Sequence, residues 1–207
     1  NLLQCIMKYN PSKITFQHPQ YSSQKLNELT NSHWNKYLNA VYKTKLLTKK
    51  YYLYDKLYVN IVKSIIKLIK NNDQHSNRIN IFPDLQEDEL DLYYSEEGHL
   101  SLFSDCICTK PWFKPYIDPS GDLLICMEKS IGNIKKDNFW DIWNNADAQK
   151  FRSSLLKNGR FPICTRCCEF FMDPIKIIHK NLYIKRDDCN FLKDKICISP
   201  HEMLDLR

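Results

Sequence analysis

The chain has 207 residues, 43% hydrophobic and 26% charged, which is ordinary globular composition and enough length for one large or two small cores. No run approaches the ~18 to 20 consecutive apolar residues of a membrane-spanning helix: the longest apolar stretch, Leu57 to Ile69, is broken by Asn60, Lys63, Ser64 and Lys67. The net charge of +6 is mixed with acidic residues along the chain, and the densest basic run, Lys43, Lys45, Lys49 and Lys50, reads as a solvated helix face, so a nucleic-acid partner is disfavoured.

Lys13 to Gln17 (KITFQ) alternates and stops at His18-Pro19, which predicts a short strand running into a loop. Apolar residues at Leu29, Trp34, Tyr37, Leu38, Val41, Tyr42 and Leu46 recur at three and four, as they do again from Tyr54 through Leu57, Ile61, Ile65 and Ile69. Two helices are expected there. Arg78 to Phe82 (RINIF) alternates once more before Pro83. Strand, helix, helix, strand is the rhythm of α/β structure, in which parallel strands need helical crossovers. Residues 84–105 are acidic and read as a connecting segment, with a boundary near 104.

Beyond the boundary the grammar changes. Pro111, Pro115 and Pro119 argue against any helix in that stretch. Tyr116-Ile117, a turn at Asp118-Pro119-Ser120-Gly121, and Asp122 to Ile125 predict a β-hairpin with Cys126 ending its second strand. Gly132-Asn133 reads as the next turn, Asp137 or Asn138 as the cap of a helix containing Phe139, Trp140, Ile142 and Trp143, and Asn158-Gly159 as the end of another. Cys164-Thr165-Arg166-Cys167-Cys168 follows directly.

The chain carries nine cysteines, and nothing in these residues announces secretion, so disulfides are not the default reading and a cytoplasmic setting is expected. The hairpin and helices should bring Cys106, Cys108 and Cys126 near Cys164, Cys167 and Cys168. Such soft thiolates select zinc or an iron-sulfur cluster, and a C-x2-C element suits either. Within this group Cys108, Cys126, Cys164 and Cys167 are the better-placed candidates, and Cys106 and Cys168 are close neighbours able to replace one of them. Cys5, Cys189 and Cys197 read as inert small hydrophobes. Spacing alone leaves zinc and iron both open, although splitting the first pair by a complete hairpin is unlike a zinc ribbon. No Ser-His-Asp, Cys-His or paired-carboxylate arrangement stands at a telling spacing, and His18 reads as a hydrogen-bonded loop histidine.

The run from Cys108 through Pro111-Trp112, Gly121, Cys126, Ile131-Gly132-Asn133, Ile142-Trp143-Asn144 and Arg152 to Cys164-x2-Cys167 resembles the SPASM region of radical SAM enzymes, whose first two cysteines follow the pattern C-x9–15-G-x4-C. The resemblance implies that Cys108, Cys126, Cys164 and Cys167 ligate an auxiliary [4Fe-4S] cluster. It implies a fold of α/β class: residues 1–104 as the C-terminal part of a partial (β/α) barrel plus connection, 105–170 as a small α+β cluster domain, and 171–207 as a tail. The family's further cysteines for a second auxiliary cluster fall here on Asp173 and Ile177. Its C-x3-C-x2-C triplet, which holds the cluster that cleaves S-adenosylmethionine, does not occur in these residues. The chain is therefore expected to be the C-terminal part of a longer enzyme, with S-adenosylmethionine and a second [4Fe-4S] cluster bound elsewhere, an electron donor as partner, and a peptide, sugar or other metabolite as substrate. A zinc-binding interaction module and a non-catalytic radical SAM relative are the alternatives.

Overall fold

The alternating segments and the two helical periodicities do become strands and helices in the computed structural model, which describes residues 2–20, 22–42, 56–71, 78–95, 100–102, 104 and 106–171. In chain order the first elements are α1 (Leu2–Met7), β1 (Ile14–Gln17), α2 (Gln24–Leu38), α3 (Lys56–Lys70), β2 (Ile79–Phe82) and α4 (Glu87–Tyr94). They divide between two compact units. The first is built from 1–20 and 49–102, and the second from 21–48 and 103–207, so α2 belongs with the C-terminal half.

In the first unit β1 and β2 pair in parallel, Ile14 opposite Ile79 and Gln17 opposite Phe82, and the His18 N–H extends the ladder to the Phe82 carbonyl at 2.8 Å. The segment expected to be a connection contains α4. The Gln86 N–H donates to Glu89 Oε2 at 2.8 Å, and Glu87, Asp88 and Glu89 place negative charge at the positive end of the helix dipole. Leu90, Tyr93 and Tyr94 are buried. Ion pairs Lys63–Asp91 at 2.7 Å, Lys67–Glu87 at 3.4 Å and Lys70–Asp84 at 2.8 Å join α3 to the α4 region. Exposed pairs of this kind are worth about 0.2 to 1 kcal/mol each and act mainly to set register.

In the second unit the Ser23 Oγ accepts from the Leu26 N–H to start α2. The helix ends at Leu38, earlier than the periodicity through Val41 and Tyr42 suggested, because Asn39 turns left-handed (φ 52°) and its N–H returns to the Asn35 carbonyl. Leu46 and Tyr54 lie outside the described residues. Trp34, 3% exposed, meets Tyr42, Phe161 and Phe151 edge-on at ring distances of 5.1, 6.0 and 6.3 Å.

The remaining elements are α5 (Lys110–Phe113), β3 (Tyr116–Ile117), β4 (Asp122–Cys126), β5 (Lys129–Asn133), α6 (Phe139–Trp143), α7 (Ala146–Asn158), a 3-10 turn at Pro162–Arg166 and α8 (Cys168–Phe171). The proline-rich stretch does hold one helical turn, α5, because Pro111 sits in its first turn, where no N–H is needed. The hairpin forms as expected, with Asp118 Oδ1 accepting from the N–H groups of Ser120 and Asp122 at 2.9 and 3.0 Å. Gly132 and Asn133 are strand residues and the chain turns after them. A side chain at Gly132 would come within 2.6 Å of Ile142 Cγ2, so the glycine serves close packing of β5 on α6. Asn138 Oδ1 caps α6 and Asn145 Oδ1 caps α7, while Asn145 Nδ2 also donates to the Ile131 carbonyl at 2.7 Å. Among the described residues no helix is long and apolar enough to cross a membrane.

Candidate metal centre

Cys126 sits at the last position of β4, just before the chain reverses into β5 opposite Lys129. Cys164 lies inside the 3-10 turn, Cys167 closes it by donating its N–H to the Cys164 carbonyl at 3.1 Å, and Cys168 begins α8. Pro162 starts that turn without a wasted donor, and the Thr165 hydroxyl ties back to the Pro162 carbonyl at 2.8 Å. The hairpin end and the turn thus bring three sulfurs into electrostatic range. Burial pushes the Cys126 thiol up to about 12, and Cys164 adds to the shift. Burial likewise raises Cys164 and Cys167, and Cys167 is raised further by Cys164, Cys126 and, least, Cys168.

Cys106 and Cys108 are buried on the approach to α5. The Cys108 N–H donates to the Gly159 carbonyl at 3.2 Å, and the Cys106 carbonyl lies 2.8 Å from where a side chain on Gly159 would begin. The end of α7 therefore anchors the Cys106–Cys108 segment by its backbone. Cys5 is exposed in the first unit. Cys189, Cys197, Asp173 and Ile177 lie outside the described residues. Among the described residues no three His, Cys, Asp or Glu side chains stand in closed metal-holding geometry.

Residues 106–168 match the family model of SPASM, the iron-sulfur cluster-binding domain. Neither the curated proteins nor the solved structures contain a match. The matched segment spans all six cysteines between 106 and 168, which makes iron-sulfur binding the chemistry their geometry must fit. The donor set fits. Desolvated thiols close enough for one thiolate to disfavour the next gain a common counter-charge when they share a cationic centre, and sulfur donors suit iron-sulfur chemistry.

The matched segment also buries basic groups whose packing cysteine spacing does not reveal. Arg160, 9% exposed, favours the Cys164 thiolate electrostatically, and Arg166, 1% exposed, sits between the two cysteines of the C-x2-C element. The signal was present as basic residues flanking Cys164, yet charge alone does not reveal burial. Arg152 is completely buried: its Nε donates to the Pro111 carbonyl at 3.0 Å, a terminal nitrogen donates to the Trp143 carbonyl at 2.8 Å, and the guanidinium lies 4.8 Å from the Trp143 ring centre. It joins α5, α6 and α7 around the segment that follows Cys108.

Proposed function

We propose that the SPASM segment holds an auxiliary [4Fe-4S] cluster on Cys108, Cys126, Cys164 and Cys167, and that the chain is the C-terminal part of a radical SAM enzyme. The observation that carries this reading is the grouping of three half-buried cysteines at 126, 164 and 167, whose thiols are all raised by desolvation, with Cys164 raising Cys126 and both of these raising Cys167. Isolated thiolates are unfavourable there, whereas ligation to a shared cationic centre relieves both burial and repulsion. When bound, a cluster with four cysteine ligands supplies one-electron relay or a structural cross-link. Arg160 offsets ligand charge, and Trp112 and Trp143, both fully buried, exclude water from the surrounding core. Residues 1 to about 85 would supply the last strands and helices of a partial (β/α) barrel, with the parallel β1–β2 pair as the supporting feature. Cleavage of S-adenosylmethionine and abstraction of hydrogen from a peptide, sugar or other metabolite belong to a C-x3-C-x2-C site elsewhere in that enzyme.

Anaerobic purification followed by iron and sulfide analysis tests the proposal. A brown protein with about four irons per chain is expected. Alanine at Cys108, Cys126, Cys164 or Cys167 should remove most of the iron, while Cys106→Ala and Cys168→Ala should keep it. A colourless chain holding one zinc would overturn the cluster reading.

A further inference from the structure

The first unit contains a cavity of about 290 Å³ between the β1–β2 pair and α3. Val62, Ile65, Ile66 and Ile69 of α3 line it with Phe16 and Ile81 of the strands, and it is partly open to solvent. Its volume is about twice that of the ~150 Å³ apolar cavity known to take up benzene, so a substituted ring or branched aliphatic group fits. The wall has one strongly polar side chain that is almost completely enclosed. His18, at the carboxyl end of β1, is 6% exposed, and its Nδ1 is 2.6 Å from the Tyr94 hydroxyl, which also borders the cavity. Its Nε2 is buried and has no hydrogen-bond partner among the described residues. A buried polar atom without a partner is unfavourable and rare in folded proteins, and a ligand that meets it relieves that cost.

We propose that this cavity binds a neutral ligand with an apolar body and one hydroxyl or carbonyl group, which hydrogen-bonds to His18 Nε2. Burial lowers the His18 pKa to about 4 against a weaker opposing effect of Asp84, so the ring is neutral near pH 7 and offers no charge to recruit a carboxylate or phosphate. The rest of the wall is predominantly apolar, which selects against strongly hydrated groups. This inference concerns the first unit and stands independently of the cluster proposed in the second.

Two matched probes test it on the full chain: p-cresol, whose hydroxyl can donate to a bare Nε2 or accept from an Nε2–H, and toluene, which can do neither. With nitrogen-15-labelled histidine, saturable p-cresol binding should shift the His18 Nε2 resonance, while toluene should bind and leave it in place. His18→Phe should weaken p-cresol about two- to tenfold and change toluene less than twofold. Ile66→Trp should abolish both by filling the space. If neither probe binds saturably, or if p-cresol saturates without moving the His18 resonance, the site is refuted; the wild-type resonances decide this even if His18→Phe does not fold. Iron content does not enter the readout, so failure here is distinct from failure of the cluster reading.

Discussion

Gly159 joins the end of α7 to the segment bearing Cys106 and Cys108, and Gly159→Ala should be far more damaging than a one-carbon change suggests. The residue holds φ 77° and ψ −55°, a conformation that L side chains resist by about 1 to 3 kcal/mol. The added Cβ would also stand 2.8 Å from the Cys106 carbonyl oxygen, which is backbone and cannot swing aside. Strain and displacement together are expected to cost about 3 kcal/mol, or roughly 10 °C in the melting of the second unit. Gly121→Ala is the control. It has φ 93°, but its Cβ would meet Asn133 and Lys135 side-chain atoms at 3.1 Å, which can shift, so about 1 to 2 kcal/mol is expected. All four tryptophans, Trp34, Trp112, Trp140 and Trp143, belong to the second unit, so thermal melts followed by tryptophan fluorescence report on it alone. If Gly159→Ala melts no earlier than Gly121→Ala, the backbone contact with Cys106 does not constrain that segment and the argument fails.

Arg152→Met should lower second-unit stability by about 2 to 4 kcal/mol, because it removes the donors to the Pro111 and Trp143 carbonyls while leaving the space filled; Arg152→Lys should not restore it, since one ammonium cannot reproduce the planar fork, and denaturant melts by fluorescence measure both. His18 predicts a pH dependence in the first unit. Its folded pKa, near 4, lies below the ordinary 6.5, so the unfolded chain takes up a proton that the folded chain refuses, and stability falls as pH drops from about 6.5 toward 4. The loss from this group between pH 7 and 5 is about 2 kcal/mol. Hydrogen exchange of the β1 and β2 amides should register it in the wild type and not in His18→Phe, and an equal loss in both would refute the assignment.

Much of the local structure was readable because its causes are local. Alternation in 13–17 and 78–82, Gly121 in its turn and Asn138 before α6 each act within a few residues. The differences have non-local causes. The acidic 84–105 segment looked like a linker because its charges had no visible partners, yet three of them lie opposite lysines on α3. Gly132 suggested a turn, whereas its role is set by Ile142 packing over it from α6. At the candidate centre, spacing drew attention to six cysteines, but the 3-10 turn at 162–166 and the end of β4 gather 126, 164 and 167. Burial of Arg152, Arg160 and Arg166 is a property of the packed core that a list of charges does not carry.

The assignment of α2 to the second unit bears on how the protein is made. During synthesis β1 emerges before β2 and cannot pair until β2 follows more than 60 residues later, and Trp34 waits longer still for Phe151 and Phe161. Each unit is thus left incomplete while part of the other is translated, a delay that favours chaperone binding over vectorial folding. Nor can one cut separate them: expressing 105–170 alone leaves out the indole that packs against Phe151 and Phe161, a loss of the order of 3 to 5 kcal/mol for a buried tryptophan. A fragment that keeps every clustered cysteine would still lack part of the core behind them.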